Sequence, residues 1–215
     1  MAAESKITRF RAYQLGNAGS SFSYFNGSRF TLIEARYNET NAASIDQEIK
    51  LCNAGGIHNL HITSWDQDHC SPSQLKEILD KYSPSKIEYP GYTPHTKCGE
   101  ESLEIISGYK KKQSKSKIVQ VSPKYISSLD TAENYGYTDT LHHPKFIDRD
   151  SSNNNSTIKH FRSGSFNVLS LGDVECSNLA SGLRRQRVIK NEADLIILAH
   201  HGADNGFTTS SFIKS

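Results

Sequence analysis

The ten residues Leu60-His61-Ile62-Thr63-Ser64-Trp65-Asp66-Gln67-Asp68-His69, LHITSWDQDH in one-letter code, decide how the rest of the chain is read. Residues 60–63 form a short apolar run of strand character that breaks into a polar loop. Helical spacing follows over residues 73–82, with Ser71 or Ser73 as the cap. A strand that roots a polar loop, backed by a helix, holds side chains still enough to do chemistry.

Working outward toward the amino terminus, residues 30–35 read as a third, more apolar strand after a strand pair at 8–14 and 21–24. The pair is joined by the turn-forming Gly16-Asn17-Ala18-Gly19, so the chain opens as a β-meander. Residues 44–54 read as a helix, with Ser44 as cap, Ile45, Ile49 and Cys52 on one face, and Gly55-Gly56 as the stop. Toward the carboxy terminus, 86–89 and 118–121 are strand-like and 100–108 is helical. The cluster Lys110-Lys111-Lys112 after that helix reads as a solvated helix end in preference to a phosphate-binding patch. Residues 148–157 are Ser/Asn-rich and pass for a linker. Strands at 157–161 and 166–171 pair about Ser163-Gly164-Ser165, and the second runs into Gly172-Asp173. A helix over 179–190 precedes an apolar strand at 194–199, which ends in His200-His201-Gly202. No internal repeat is evident.

The chain has 215 residues, of which 35% are hydrophobic, enough for one substantial core, and a single domain over 1–215 is expected. A formal net charge of +2 supplies no large single-sign field, so nucleic-acid or membrane binding must be argued from a site and not from composition. The amino-terminal residues 1–11 are polar and lack the apolar stretch of a signal peptide, and no run reaches transmembrane length. Cys52, Cys70, Cys98 and Cys176 show no CxxC pairing, so neither a zinc knuckle nor a disulfide framework is expected, and a reducing cytoplasm fits.

Three segments share one pattern: an apolar strand ending in a short loop with metal-ligand side chains. They are Asp66-Gln67-Asp68-His69, Gly172-Asp173 and His200-His201-Gly202. Carboxylates and imidazoles gathered in one pocket repel or compete unless a cation neutralises them, so metal binding explains their coincidence economically. Mixed oxygen and nitrogen ligation suits Zn²⁺, Mn²⁺ or Fe²⁺, and carboxylate-rich ligation leans toward Mn²⁺ or Mg²⁺.

With these segments in view, the sequence resembles the metallo-β-lactamase-fold hydrolases. LHITSWDQDH is similar to that family's strand followed by His-x-His/Asp-x-Asp-His, and Gly172-Asp173 resembles its later Gly-Asp. ADLIILAHHGADN resembles the His-His-Gly segment of the ComEC-like branch, as does Asn154-Asn155-Ser156 ahead of the paired strands. The order of these segments extends the resemblance over about residues 10–213. It implies an α+β fold of four αββα layers, with a final strand and helix that this sequence does not include. It also implies two divalent ions and a bridging hydroxide as nucleophile. Asp66 would belong to the first site, Asp68 and His69 to the second; Asp173 would bridge, and His200 would close the second. Asp68 would also orient the water, with His201 as a further catalytic group acting in the second shell or on the leaving phosphate. Two cations sharing a water lower its pKa and clamp both oxygens of an in-line displacement.

Two departures stand out. Ser64 replaces the family's first histidine and Glu34 stands where an Asp commonly ends the early strand, which weakens the first metal site. Each position also has a plainer reading. Asp66 and Asp68 could cap the following helix, and Asp173 could be a turn residue. His142-His143-Pro144 reads as a surface loop, and His61 as core or second shell. Trp65 either lines the pocket mouth, where it could stack on a base together with substrate contacts from Asn155 and Ser156, or simply packs. The expected activity is metal-dependent phosphodiesterase or nuclease chemistry on DNA or another nucleotide. A cyclic-nucleotide or small-ester hydrolase is the alternative within that chemistry, and an impaired binding or regulatory subunit is the alternative outside it. Protein partners or a homodimer remain open.

Overall fold

The computed structural model describes residues 7–129 and 138–214, so the first six of the polar amino-terminal residues lie outside it. The chain forms two compact units, Met1–Tyr89 with Thr93–Gln120 and Pro90–Tyr92 with Val121–Ser215. Both mix helices with a sheet, and the fold is α+β.

The first sheet has the order β1-β2-β3-β4-β5-β6, from β1 (Arg9–Ala12), β2 (Phe22–Phe25), β3 (Phe30–Ile33), β4 (Asn59–His61), β5 (Lys86–Pro90) and β6 (Lys117–Val121). The antiparallel β1-β2-β3 meander is the one expected, and β3, β4 and β5 then run parallel. Parallel neighbours need crossover connections, and the helices α1 (Ala42–Leu51) and α2 (Pro72–Tyr82) supply them. Leu75, Ile78 and Leu79 of α2, spaced three and four apart, form one buried stripe. Helix α1 starts two residues before the expected Ser44. Asn41 and Asn38 close a turn there: Asn38 N–H donates to Asn41 Oδ1 at 2.8 Å, and Ala42 N–H donates to the Asn38 carbonyl at 2.9 Å. Helix α3 (Lys97–Lys112) is longer than expected because Thr96 caps it, its Oγ1 accepting from Gly99 N–H at 3.2 Å. Lys110, Lys111 and Lys112 form its exposed last turn, where cations suit the helix dipole.

The second sheet has the order β10-β9-β8-β7, from β7 (Thr140–His143), β8 (Ile158–Phe161), β9 (Val168–Ser170) and β10 (Leu195–Ile197). Strands β8 and β9 pair antiparallel as expected, and β10 lies parallel to β9. Ile158, Leu169 and Leu171 pack in one core with Leu183, Ile189 and Phe212. Those three come from α5 (Ser177–Arg184), α6 (Arg187–Glu192) and α7 (Ser210–Ile213).

Three sequence readings need correction in this unit. The single helix expected over 179–190 is broken at Gln186, whose backbone is extended. On a straight helix Leu183 and Ile189 would point about 120° apart; the break lets both reach the core. His142 and His143 are not on a surface loop. They end β7 and are 7% and 1% exposed, because a register shift between Leu141 and His143 turns both inward. Residues 148–157 are not a linker, since a 3₁₀ turn at Asn153–Asn155 is tied down by Asp148. A short helix α4 (Pro123–Ser128), capped by Ser122, had no counterpart in the sequence reading.

Candidate metal centre

In the first unit, β3 and β4 end side by side and the two loops that follow stay joined. Glu34 N–H donates to the His61 carbonyl and Ala35 N–H to the His69 carbonyl, both at 2.8 Å. Glu34 adopts a left-handed φ of 73°, a strained conformation for a side chain other than glycine, and is 2% exposed. There its carboxylate accepts from Thr63 N–H at 3.1 Å and Thr63 Oγ1 at 2.6 Å, and its Oε1 lies 3.2 Å from His69 Nδ1. Thr63 Oγ1 is a further 3.3 Å neighbour of that nitrogen. A carboxylate at Nδ1 fixes the ring and its tautomer, which makes Nε2 the nitrogen suited to ligation. His69 Nε2 is 4.0 Å from Asp68 Oδ2, too long for a hydrogen bond. It is somewhat wider than the roughly 3.4 Å that a tetrahedral ion with bonds of about 2.1 Å sets between two ligand atoms, and within the roughly 4.2 Å that two such bonds can span.

Asp66 and Ser64 engage each other. Ser64 Oγ donates to Asp66 Oδ2 at 3.0 Å, and Asp66 N–H donates back to that hydroxyl at 3.2 Å. The Asp66 carbonyl also accepts from His69 and Cys70 N–H, so this residue builds the loop. Burial pushes the Cys70 thiol up to about 12, which keeps it neutral. Trp65 is 1% exposed and packs on Tyr89 at a 5.6 Å ring separation, the plainer of its two readings.

The second unit presents a matching pair. Strand β9 ends at Ser170, and two residues on Gly172, with a φ of 58°, turns the chain into Asp173, which is 3% exposed. Strand β10 leads into a 3₁₀ turn at Ala199–Gly202, where His200 and His201 both have left-handed φ, 47° and 54°. The strand ends are bonded, with His200 N–H donating to the Gly172 carbonyl at 2.9 Å. His201 Nε2 lies 3.9 Å from Asp173 Oδ1, again beyond hydrogen-bond length and within the span of two metal–ligand bonds. His200 Nδ1 instead meets Glu175 Oε1 at 2.5 Å.

Asn154 organises this loop. Its Oδ1 accepts from Glu175 and Cys176 N–H, both at 3.0 Å, and its carbonyl accepts from His143 Nε2 at 2.6 Å. Asn155, expected at a substrate, is buried and holds Asp148 through both ends of its amide, while Ser156 is fully buried. Sequence reasoning did not assign roles to Thr63, Glu175 or Asn154. The signal for Glu34 was present, as an acidic residue ending an apolar strand.

No family model matches the chain, and no curated protein does. Among solved structures, the metallo-beta-lactamase fold protein YhfI from Bacillus subtilis is similar, with 15% identity and a TM-score of 0.44. The match covers 86% of this chain, which spans 64% of that protein's length. No helix among the described residues is long and apolar enough to cross a membrane.

Proposed function

We propose that the chain is a metal-dependent hydrolase of the metallo-β-lactamase type, with Asp68 and His69 of the first unit and Asp173 and His201 of the second as its metal-holding side chains. One observation carries this reading: each unit offers a histidine Nε2 and a carboxylate oxygen about 4 Å apart, both on loops rooted at strand ends. Two imidazoles and two carboxylates suit Zn²⁺ or Mn²⁺. The sequence resemblance, with its four motifs in order, supports the same reading for Asp68, His69 and Asp173.

Of the two histidines in the carboxy-terminal turn, His201 takes the ligand role on this reading. His200, whose Nδ1 is held by Glu175, exchanges a proton at Nε2 with the leaving oxygen. That reverses the roles the sequence suggested for the pair. Asp68 completes the cation's ligands and orients the attacking water. Glu34 and Thr63 hold the His69 ring so that its Nε2 is presented each time without rotamer cost. A divalent cation bound there supplies Lewis acidity and makes water a nucleophile at neutral pH. Ser64 in place of the first histidine, with its hydroxyl bonded to Asp66 Oδ2, favours one cation over two.

The substrate on this reading is a nucleotide phosphodiester. Purified protein supplied with Mn²⁺ or Zn²⁺ should hydrolyse bis(p-nitrophenyl) phosphate and single- or double-stranded DNA. His69→Ala and Asp173→Asn should reduce turnover by two orders of magnitude or more. No turnover of either substrate with any of Mn²⁺, Zn²⁺ and Mg²⁺ by the wild-type chain would overturn the hydrolase reading in favour of a binding subunit.

A further inference from the structure

Arg36 is 5% exposed, yet its guanidinium has no carboxylate within ion-pair distance among the described residues. It directs its N–H groups to four uncharged acceptors. Nε donates to Gln74 Oε1 at 3.0 Å, Nη1 donates to the Ala18 and Gln67 carbonyls at 3.0 Å each, and Nη2 donates to Asn17 Oδ1 at 2.8 Å. The acceptors belong to three segments: the 16–20 turn, the loop carrying Asp68 and His69, and the first turn of α2. Ser20 N–H donates to the Asp68 carbonyl at 3.1 Å, so turn and loop also meet directly. Gly19, with φ of +131°, sits in the closest part of this contact. A Cβ there would fall 2.3 Å from Arg36 Nη1 and 2.5 Å from the Asp68 carbonyl oxygen. Burying a charge is unfavourable unless its hydrogen bonds are met, and here they are met mainly by groups that hold a loop.

We propose that Arg36 is a positioning residue that pins the 16–20 turn against residues 67–69 and so holds the loop that presents Asp68 and His69 to a divalent cation. The inference rests on the metal-centre reading, but its mechanical part stands on the amino-terminal unit alone. The planar fork of Arg spans all four acceptors, whereas the point charge of Lys reaches only one or two of them. Arg36→Lys therefore keeps the charge and loses the clamp.

The test measures Mn²⁺ affinity by calorimetry on the full chain, with the thermal midpoint and backbone amide exchange of each metal-free variant. Arg36→Gln, Arg36→Lys and Gly19→Ala should each weaken Mn²⁺ binding by roughly ten- to a hundred-fold, the effect of disturbing groups that orient metal ligands. Amide exchange over residues 17–20 and 66–69 should speed up in all three. Should Arg36→Gln fail to fold, Asn17→Ala removes one acceptor and should give a smaller loss in the same direction. Unchanged Mn²⁺ affinity in folded Arg36→Gln would overturn the inference, as would wild-type affinity in Arg36→Lys. Wild-type protein that binds no Mn²⁺, with exchange over 66–69 still accelerated in Arg36→Gln, would leave the clamp standing and overturn the metal centre it was proposed to serve.

Discussion

Lowering the pH from 7 to 5 should destabilise the carboxy-terminal unit well before its carboxylates titrate. His142, His143 and His160 are 7%, 1% and 0% exposed, and burial holds all three down to about 4. His142 and His160 also face each other, with ring centroids 6.1 Å apart, so a proton on one opposes a proton on the other. His143 Nδ1 accepts from Lys145 N–H at 3.3 Å while its Nε2 donates to the Asn154 carbonyl, a pattern only the neutral ring can make. In the unfolded chain each ring titrates near 6.5, so below that pH the unfolded state binds more protons and stability falls with pH until about 4. At pH 5 the loss is about 2 kcal/mol per histidine, about 6 kcal/mol for three, against a typical domain stability of roughly 5–15 kcal/mol. Asp148 has its pKa lowered by the Asn154 amide, so its contribution is lost only below the ordinary carboxylate range, outside this window. Guanidinium denaturation followed by circular dichroism from pH 8 to 4.5, with amide exchange reporting on residues 138–214, measures the slope. His160→Leu should flatten it by about a third. Equal stability at pH 7 and pH 5, or an unaltered profile in His160→Leu, would refute the reasoning.

Other perturbations separate support from scaffold. Glu34→Gln removes the carboxylate at His69 Nδ1 and should weaken divalent-cation binding by roughly ten-fold or more, read by calorimetry, with the fold retained. Asn154→Ala deletes the acceptor for Glu175 and Cys176 N–H at the start of α5, which should cost about 1–2 kcal/mol in chemical denaturation. Leu169→Ala opens the fully buried core of the second unit and should cost about 2–5 kcal/mol by the same measurement.

The elements that sequence showed clearly were those whose pattern is set locally. Residues 60–82 read correctly as strand, polar loop and helix because Leu60 and Ile62 and the spacing of Leu75, Ile78 and Leu79 need no distant partner to be recognised, the strand itself being Asn59–His61. The β1-β2-β3 meander was legible for the same reason. Strand β7 was not, since Thr140-Leu141-His142-His143 lacks alternation and its two inward histidines follow from a register shift against β8. The break between α5 and α6 was hidden because no Gly or Pro marks it; it comes from the demand that Leu183 and Ile189 both reach one core. At the candidate site, ligand types and their loops could be read from the chain. Glu34 was visible as an acidic residue ending a strand, but which histidine it or Glu175 aims could not be read, because each pairing is set by which strand ends the sheets bring together.

Metal content per chain tests the central claim most directly. Elemental analysis after equilibration with Mn²⁺ or Zn²⁺ and removal of free metal should give close to one equivalent for the wild-type chain. It should give none for either Asp68→Ala/His69→Ala or Asp173→Ala/His201→Ala, although each pair lies in a different unit. Full metal content in either double variant would show that the pair it removes holds no metal and would contradict the account.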